Sequence, residues 1–354
     1  MSKRLLYTTV MLCMLFTVVA DMYARRISFN LDSIAAMGKF PRFCVNTYRW
    51  GDHFFNPYDS VYVKGTGKKF NIKISTESWT DYYHLNFPQK EYITMVSDPC
   101  TSLGAYLTYM AVSAGYDINV SKIFGGPEQA RKRFNFGFNC SLFAAELSFV
   151  SNDVGTRIKR FGNEDHPLHL SLPFLGINTS SWSIDTYYFF NHKKYSQAAV
   201  FNFSKIQRRS QGSFYAGFSY YRDKYNFDFS ELPDYLKLHL PENWINYRYS
   251  VATDNYAFRL GYGYNWVLGR HWVIGVSESP IIGLKKGFIN RETENFSCSL
   301  FNRFRAGAVY NHGPWFLGLV GKADVGLIYD AETTMTTAIV NFTASVGYRF
   351  NLWK

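Results

Sequence analysis

The chain has 354 residues, a formal net charge of +11 and a mean hydropathy of −0.19. That hydropathy excludes a bundle of membrane-spanning helices, which needs spans of about 20 apolar residues. Aromatic residues form 19% of the chain, with 27 Tyr and 32 Phe, more than a soluble core requires. A barrel in lipid uses such a surplus for its apolar outer face and two aromatic rims.

The first stretch reads as a signal peptide. Lys3 and Arg4 precede the uncharged apolar run Leu5–Ala20, and Val18 and Ala20 suit cleavage before Asp21, with Ala24 as a second position. Cys13 lacks the small preceding residues of a lipidated cysteine. A basic balance also fits nucleic-acid binding, but export argues against that partner. Basic pairs such as Lys68-Lys69, Lys193-Lys194, Arg208-Arg209 and Lys285-Lys286, and the triplet Arg131-Lys132-Arg133, fall near expected strand ends. There they either snorkel to lipid phosphates or sit in solvated turns. Cys44, Cys100, Cys140 and Cys298 match no zinc spacing and are too few for a disulfide framework.

Residues 21–67, with Pro41 and Pro57, read as a periplasmic or plug-like lead-in, and 68–354 as a barrel. From about residue 68 the apolar period becomes two, the strand signal. In the clearest case Tyr256, Phe258, Leu260, Tyr262, Tyr264 and Trp266 alternate with Ala257, Arg259, Gly261, Gly263 and Asn265. Eleven residues suit a tilted transmembrane strand, so Tyr256, Phe258, Leu260, Tyr262 and Tyr264 are expected to face lipid and Arg259, Gly261 and Gly263 the lumen.

Candidate strands lie at 69–77, 79–87, 102–109, 111–120, 132–141, 143–151, 182–190, 196–205, 212–222, 255–266, 271–279, 298–310, 315–329 and 336–350. The expected fold is all-β, a transmembrane antiparallel up-and-down barrel of about 12 strands within a range of 10–14. Segments 152–181, 223–254 and 280–297 are the expected long extracellular loops. The end of the chain, Ser345 to Leu352, carries Gly347, Phe350 and Leu352 in a polar-x-Gly-x-x-aromatic-x-hydrophobic pattern. This resembles the terminal signal that barrel-assembly machinery reads, although Trp353-Lys354 follow it. The physical logic is a last strand with a free edge, expected to pair with the first near Phe70–Glu77.

Four segments carry a family resemblance: Asp98–Gly104, Tyr187–Ser196, Gln207–Phe214 and Gly261–Leu268. With them, roughly from Asp59 onward, the chain resembles an uncharacterised Bacteroidetes family, a domain of unknown function found in exported outer-membrane barrel-like proteins. The resemblance implies location and fold and supplies no catalytic residue.

Three constellations have chemical potential. His166 and His169, beside Glu164 and Asp165, are weak metal-ligand candidates, and a solvated loop is the default for them. His169 and Ser171 share a strand face, as in barrel lipid hydrolases, but Leu172-Pro173 follows and no orienting acid is evident. Arg208-Arg209 and Arg303, Arg305 either line a lumen or bind anionic lipid; a lumen closed by paired charges has the same sequence signature. No catalytic residue and no cofactor are expected. A pore, ligand-binding or transport barrel leads, and a structural or anchoring barrel or a lipid hydrolase follows. The expected partners are outer-membrane lipids, lipopolysaccharide and the assembly machinery.

Overall fold

A backbone that alternates large apolar with small or polar residues buries one face of each strand and presents the other. In the computed structural model this alternation builds most of the chain. The structure describes residues 31–87, 90–124, 131–152, 155–163, 165–240, 242, 247–289, 293–330 and 333–351, so the expected leader at 1–20 and Leu352 lie outside the described residues. The chain divides into two units, Phe55–Phe350 and a smaller one of Met1–Phe54 with Asn351–Lys354. In the smaller unit the lead-in is helical, α1 (Leu31–Ala36) and α2 (Lys39–Phe55). Pro41 is tolerated there because it falls in the first turn of α2, whose N–H groups lack helical partners anyway.

In the larger unit the strands in chain order are β1 (Val63–Gly65), β2 (Phe70–Asn86), β3 (Glu91–Ser97), β4 (Cys100–Tyr109), β5 (Val112–Asn119) and β6 (Arg131–Asn139). They continue as β7 (Phe143–Asn152), β8 (Thr156–Asn163), β9 (His166–Phe174), β10 (Ile177–Phe189), β11 (Lys205–Gln207) and β12 (Gln211–Asp228). The last are β13 (Arg248–Leu268), β14 (Trp272–Ile289), β15 (Thr293–His312), β16 (Trp315–Asp330) and β17 (Thr333–Phe350). Among the described residues, twelve of these, β2, β4–β7, β10 and β12–β17, form an antiparallel ring. The ring closes where β17 pairs with β2, from Phe350↔Phe70 through Thr343↔Glu77 to Thr334↔Asn86. Closure leaves no free sheet edge along this seam.

The two ends of the barrel differ. One end carries both barrel termini and the tight turns at 110–111, 140–142, 269–271 and 313–314. Gly269 and Gly313 hold left-handed φ of +72° and +57° there, which a Cβ would strain. The other end is roofed. β3 leaves the far part of β2 and continues sideways into β8 and β9, and α3 (Asp234–Lys237) follows β12. Leu85, Ile93, Met95, Phe161, Phe229 and Leu236 pack there as one apolar core, each at most 0% exposed. Burial of that kind stabilises by about 1.5–3 kcal/mol per large side chain.

Four expectations need correction. The segments 69–77 and 79–87 are one strand, β2. Residues 196–205 are not a strand: only a 3-10 turn, Gln197–Ala199, forms before the short β11. The segment 280–297 is no long loop, because β14 runs to Ile289 and β15 begins at Thr293. Pro280 misleads here. It sits where the β13–β14 ladder lapses between Arg259↔Ile281 and Tyr262↔Glu278, as expected of a residue with no N–H to donate. The loops expected at 152–181 and 223–254 shrink, the first into the β8–β9 hairpin and the second by extension of β12 and β13.

Candidate functional site: an occluded lumen

The loop between β10 and β12 turns inward. Val200 and Phe203, 0% and 1% exposed, pack with Val273, Val309 and Phe316 inside the barrel. Space for them comes from glycines on three neighbouring strands. A Cβ on Gly275 or Gly307 would lie 2.8 Å from a Val200 methyl, and one on Gly318 would lie 2.5 Å from the Phe203 ring. Phe203 stacks on Phe316 with ring centroids 4.8 Å apart. Polar bonds fix the loop backbone: Arg349 Nε donates to the Phe203 carbonyl at 2.8 Å, and Asn265 Nδ2 to the Ser196 carbonyl at 2.9 Å. Residues 63–65 of the lead-in pair with Lys205–Gln207, and Asp59 N donates to the Lys193 carbonyl at 2.8 Å.

Above this plug, a charged network fills one side of the lumen. Asp185 accepts from Arg259 at 2.8 Å and faces Arg303 at 3.5 Å; Arg303 also reaches Asp324 at 2.7 Å, which Lys322 contacts at 2.8 Å. Arg305 reaches Glu146 on β7 at 3.3 Å, a bond that spans the lumen from β15. Tyr187 accepts from Arg259 at 2.7 Å. Each charge has an opposite partner, the arrangement under which buried ions are tolerated.

The opposite wall, from β2 and β4–β7, is lined largely by small polar side chains. Between the two lies a cavity of about 410 Å³, bordered among others by Lys73, Ser75, Ser113, Asn202, Arg305 and Thr343. Lys73 Nζ stands 4.1 Å above the Tyr106 ring, and Tyr106 Oη donates to Asp117 at 2.5 Å. Gly115 makes room for that ring, since a Cβ there would lie 2.0 Å from it. Arg133 closes the group with a 2.6 Å bond to Glu77.

The structure places the singled-out residues as follows. Tyr256, Phe258, Leu260 and Tyr262 are exposed on the outer face, Tyr264 is half-buried on the same face, and Arg259 is wholly buried inside. Gly347 points inward against the Phe316 ring, while Phe350 stacks on Phe70 across the seam. His166 and His169 lie on β9, in the roof and away from the cavity; among the described residues no group of three His, Cys, Asp or Glu has metal-binding geometry. His169 and Ser171 are exposed on that strand, and no hydrogen bond joins them. Arg208 and Arg209 are not lumen residues: Arg208 donates to the Ser60 carbonyl at 2.8 Å and Arg209 lies over the Tyr62 ring. Arg303 and Arg305 do enter the lumen, as the paired network above. Cys44, Cys100, Cys140 and Cys298 are all unbridged.

The model of the domain of unknown function DUF4421 matches residues 57–350. The chain belongs to this family. The DUF4421 match takes in the barrel, its roof and the inward loop together. No curated protein sequence matches the chain. Among solved structures, it is similar to the outer-membrane protease OmpT from Escherichia coli, at 7% identity and a TM-score of 0.39, covering 79% of this chain and 96% of that one. A second is an outer-membrane channel from Pseudomonas putida F1, at 9% identity and a TM-score of 0.35, covering 80% and 97%. A third is the translocator domain of autotransporter NalP from Neisseria meningitidis, at 10% identity and a TM-score of 0.33, covering 90% and 98%.

Proposed function

We propose that this DUF4421 protein is an outer-membrane transport barrel that holds a small polar solute and is closed at rest by its own inward loop. The observation that carries the reading is the polar cavity between the Val200–Phe203 plug and the apolar roof. A barrel of this size without a plug encloses an aqueous lumen or a ligand site. Glycines at 275, 307 and 318 support a built stopper, because they serve the plug and weaken the strands that carry them. The outer face supports lipid contact: it is apolar and aromatic, as a lipid-facing band requires.

Export through a cleaved leader at 1–20, a Bacteroidetes source and recognition of Gly347, Phe350 and Leu352 by assembly machinery belong to the same reading. So does the assignment of the turn end to the periplasm, the usual side for short turns. A second reading, a structural or anchoring barrel, is favoured by the Arg259–Asp185–Arg303–Asp324 network, which braces the lumen as a scaffold would. Two measurements test the proposal. Fractionation should recover the mature protein in outer membranes after carbonate wash; recovery from the soluble periplasm contradicts it. Liposome swelling should show slow solute entry through the native protein and faster entry once the plug is removed; equal rates favour the scaffold.

A further inference from the structure

The outer face of the barrel carries a second recess, on the reverse side of strands that also wall the lumen cavity. Cross-strand register sets two rows side by side. In one, Phe134 on β6 faces Phe149 on β7, which faces Trp182 on β10, which faces Arg222 on β12. Phe134 and Phe149 have ring centroids 6.4 Å apart, and Phe149 and Trp182 6.3 Å. One residue pair nearer the loop end runs the other row, Lys132, Ser151, Ser180 and Lys224. Two small serines between two long lysines leave a notch, and the recess they form with the aromatic row is about 650 Å³. Strands lie about 4.8 Å apart, so the two lysine backbones stand roughly 14 Å apart across three such steps.

The charges in the notch are unequal in their commitments. Arg222 is engaged by Asp254 at 3.4 Å. Lys132 and Lys224 are exposed, and among the described residues neither has a carboxylate within 4.0 Å. On a face turned to lipid, an uncompensated ammonium is costly unless an anion meets it. Below the lysines the rings offer an apolar bed, with Phe134 and Phe149 43% and 45% exposed.

We infer that this notch binds a phosphorylated lipid, with Lys132 and Lys224 taking phosphates and the Phe134–Phe149–Trp182 row taking the acyl chains. The spacing of the lysines, extended by their flexible stems, suits a head group with two phosphates. The inference rests on the outer-membrane reading above.

The test uses the full-length protein purified from membranes in detergent and native mass spectrometry with three probes: diphosphoryl lipid A, monophosphoryl lipid A and phosphatidylcholine. The native protein should retain diphosphoryl lipid A at least tenfold more than phosphatidylcholine, with the monophosphoryl form between. The double substitution Lys132→Ala, Lys224→Ala should remove that preference while heat-modifiable migration on a gel stays normal. If that variant misfolds, Ser180→Trp replaces it: it fills the recess, keeps both lysines and should lower retention of diphosphoryl lipid A to the same degree. Equal retention of all three lipids, unchanged preference in a folded variant, or full displacement by millimolar inorganic phosphate overturns the inference. Failure to recover the protein in membranes would instead sink the outer-membrane reading, a separate result.

Discussion

Arg349 donates from Nε to the carbonyl oxygen of Phe203 at 2.8 Å, so the strand that closes the barrel also holds the loop that plugs it. The guanidinium donates at the same time to Asn311 Oδ1 at 2.8 Å and lies over the Phe316 ring. Barrel closure and lumen occlusion are therefore coupled through one side chain. Arg349→Met should keep the packing volume but lose both charge-assisted bonds, at roughly 1.5–3 kcal/mol for such bonds. Thermal loss of the heat-modifiable form should come at lower temperature, and an unchanged transition would remove Arg349 from the account.

The plug depends on absent side chains as much as on present ones. Gly318→Leu should drive Phe203 off Phe316, because even a Cβ there falls 2.5 Å from the Phe203 ring. Lys193, Lys194, Arg208 and Arg209 already lie at the surface and Lys205 is half-buried, but trypsin needs a loosened backbone around them, which the displaced loop supplies. Cutting within 193–209 should accelerate at least tenfold over the native protein while the barrel stays protease-resistant. Protection equal to that of the native loop would show that Phe203 is not held as described.

Asp185 serves two guanidinium groups. Asp185→Ala leaves Arg259 without an anion in a buried site and Arg303 with Asp324 alone, a change that destabilises by about 3–5 kcal/mol. Urea unfolding in detergent reads this directly. A companion Arg259→Met on the same background should recover part of the loss, since one unpaired cation is then gone; no recovery would mean that the pair is not coupled.

Leu260 is 55% exposed in the middle of the outer face of β13. Leu260→Arg should cost on the order of 2–4 kcal/mol if that face meets the bilayer interior. A thiol probe at 260 should report lipid and one at 261 a shielded interior. Reversed signals would invert the register of the strand.

Much of the barrel is written in local sequence and the site is not. Tyr256 to Trp266 alternate without a break, and the outward set is the one the structure exposes. Ser345–Phe350 pair with Phe70–Ser75 along the expected seam. Lumen contents are different in kind. Ala199, Phe201 and Phe203 alternate like a strand, yet Val200 and Phe203, of opposite phase, are the residues that enter the core. The available signal was the inward glycine set, 275, 307 and 318, which has meaning only once the facing of three strands is known. In the sequence Arg303 and Arg305 read equally as a lumen stripe or an anionic-lipid site, and their partners Asp185, Asp324 and Glu146 lie on other strands, at separations that no local pattern encodes. The Lys132–Ser151–Ser180–Lys224 row is likewise a product of register among four strands.

Single-channel recording in a planar bilayer tests the central claim most directly. The purified native protein should be silent or show rare brief openings, because Val200 and Phe203 stop the lumen. Replacing residues 197–203 by a short Gly-Ser linker should produce stable conductance steps. Steady open current from the native protein, or silence from a correctly folded linker variant, would contradict the occluded transport barrel.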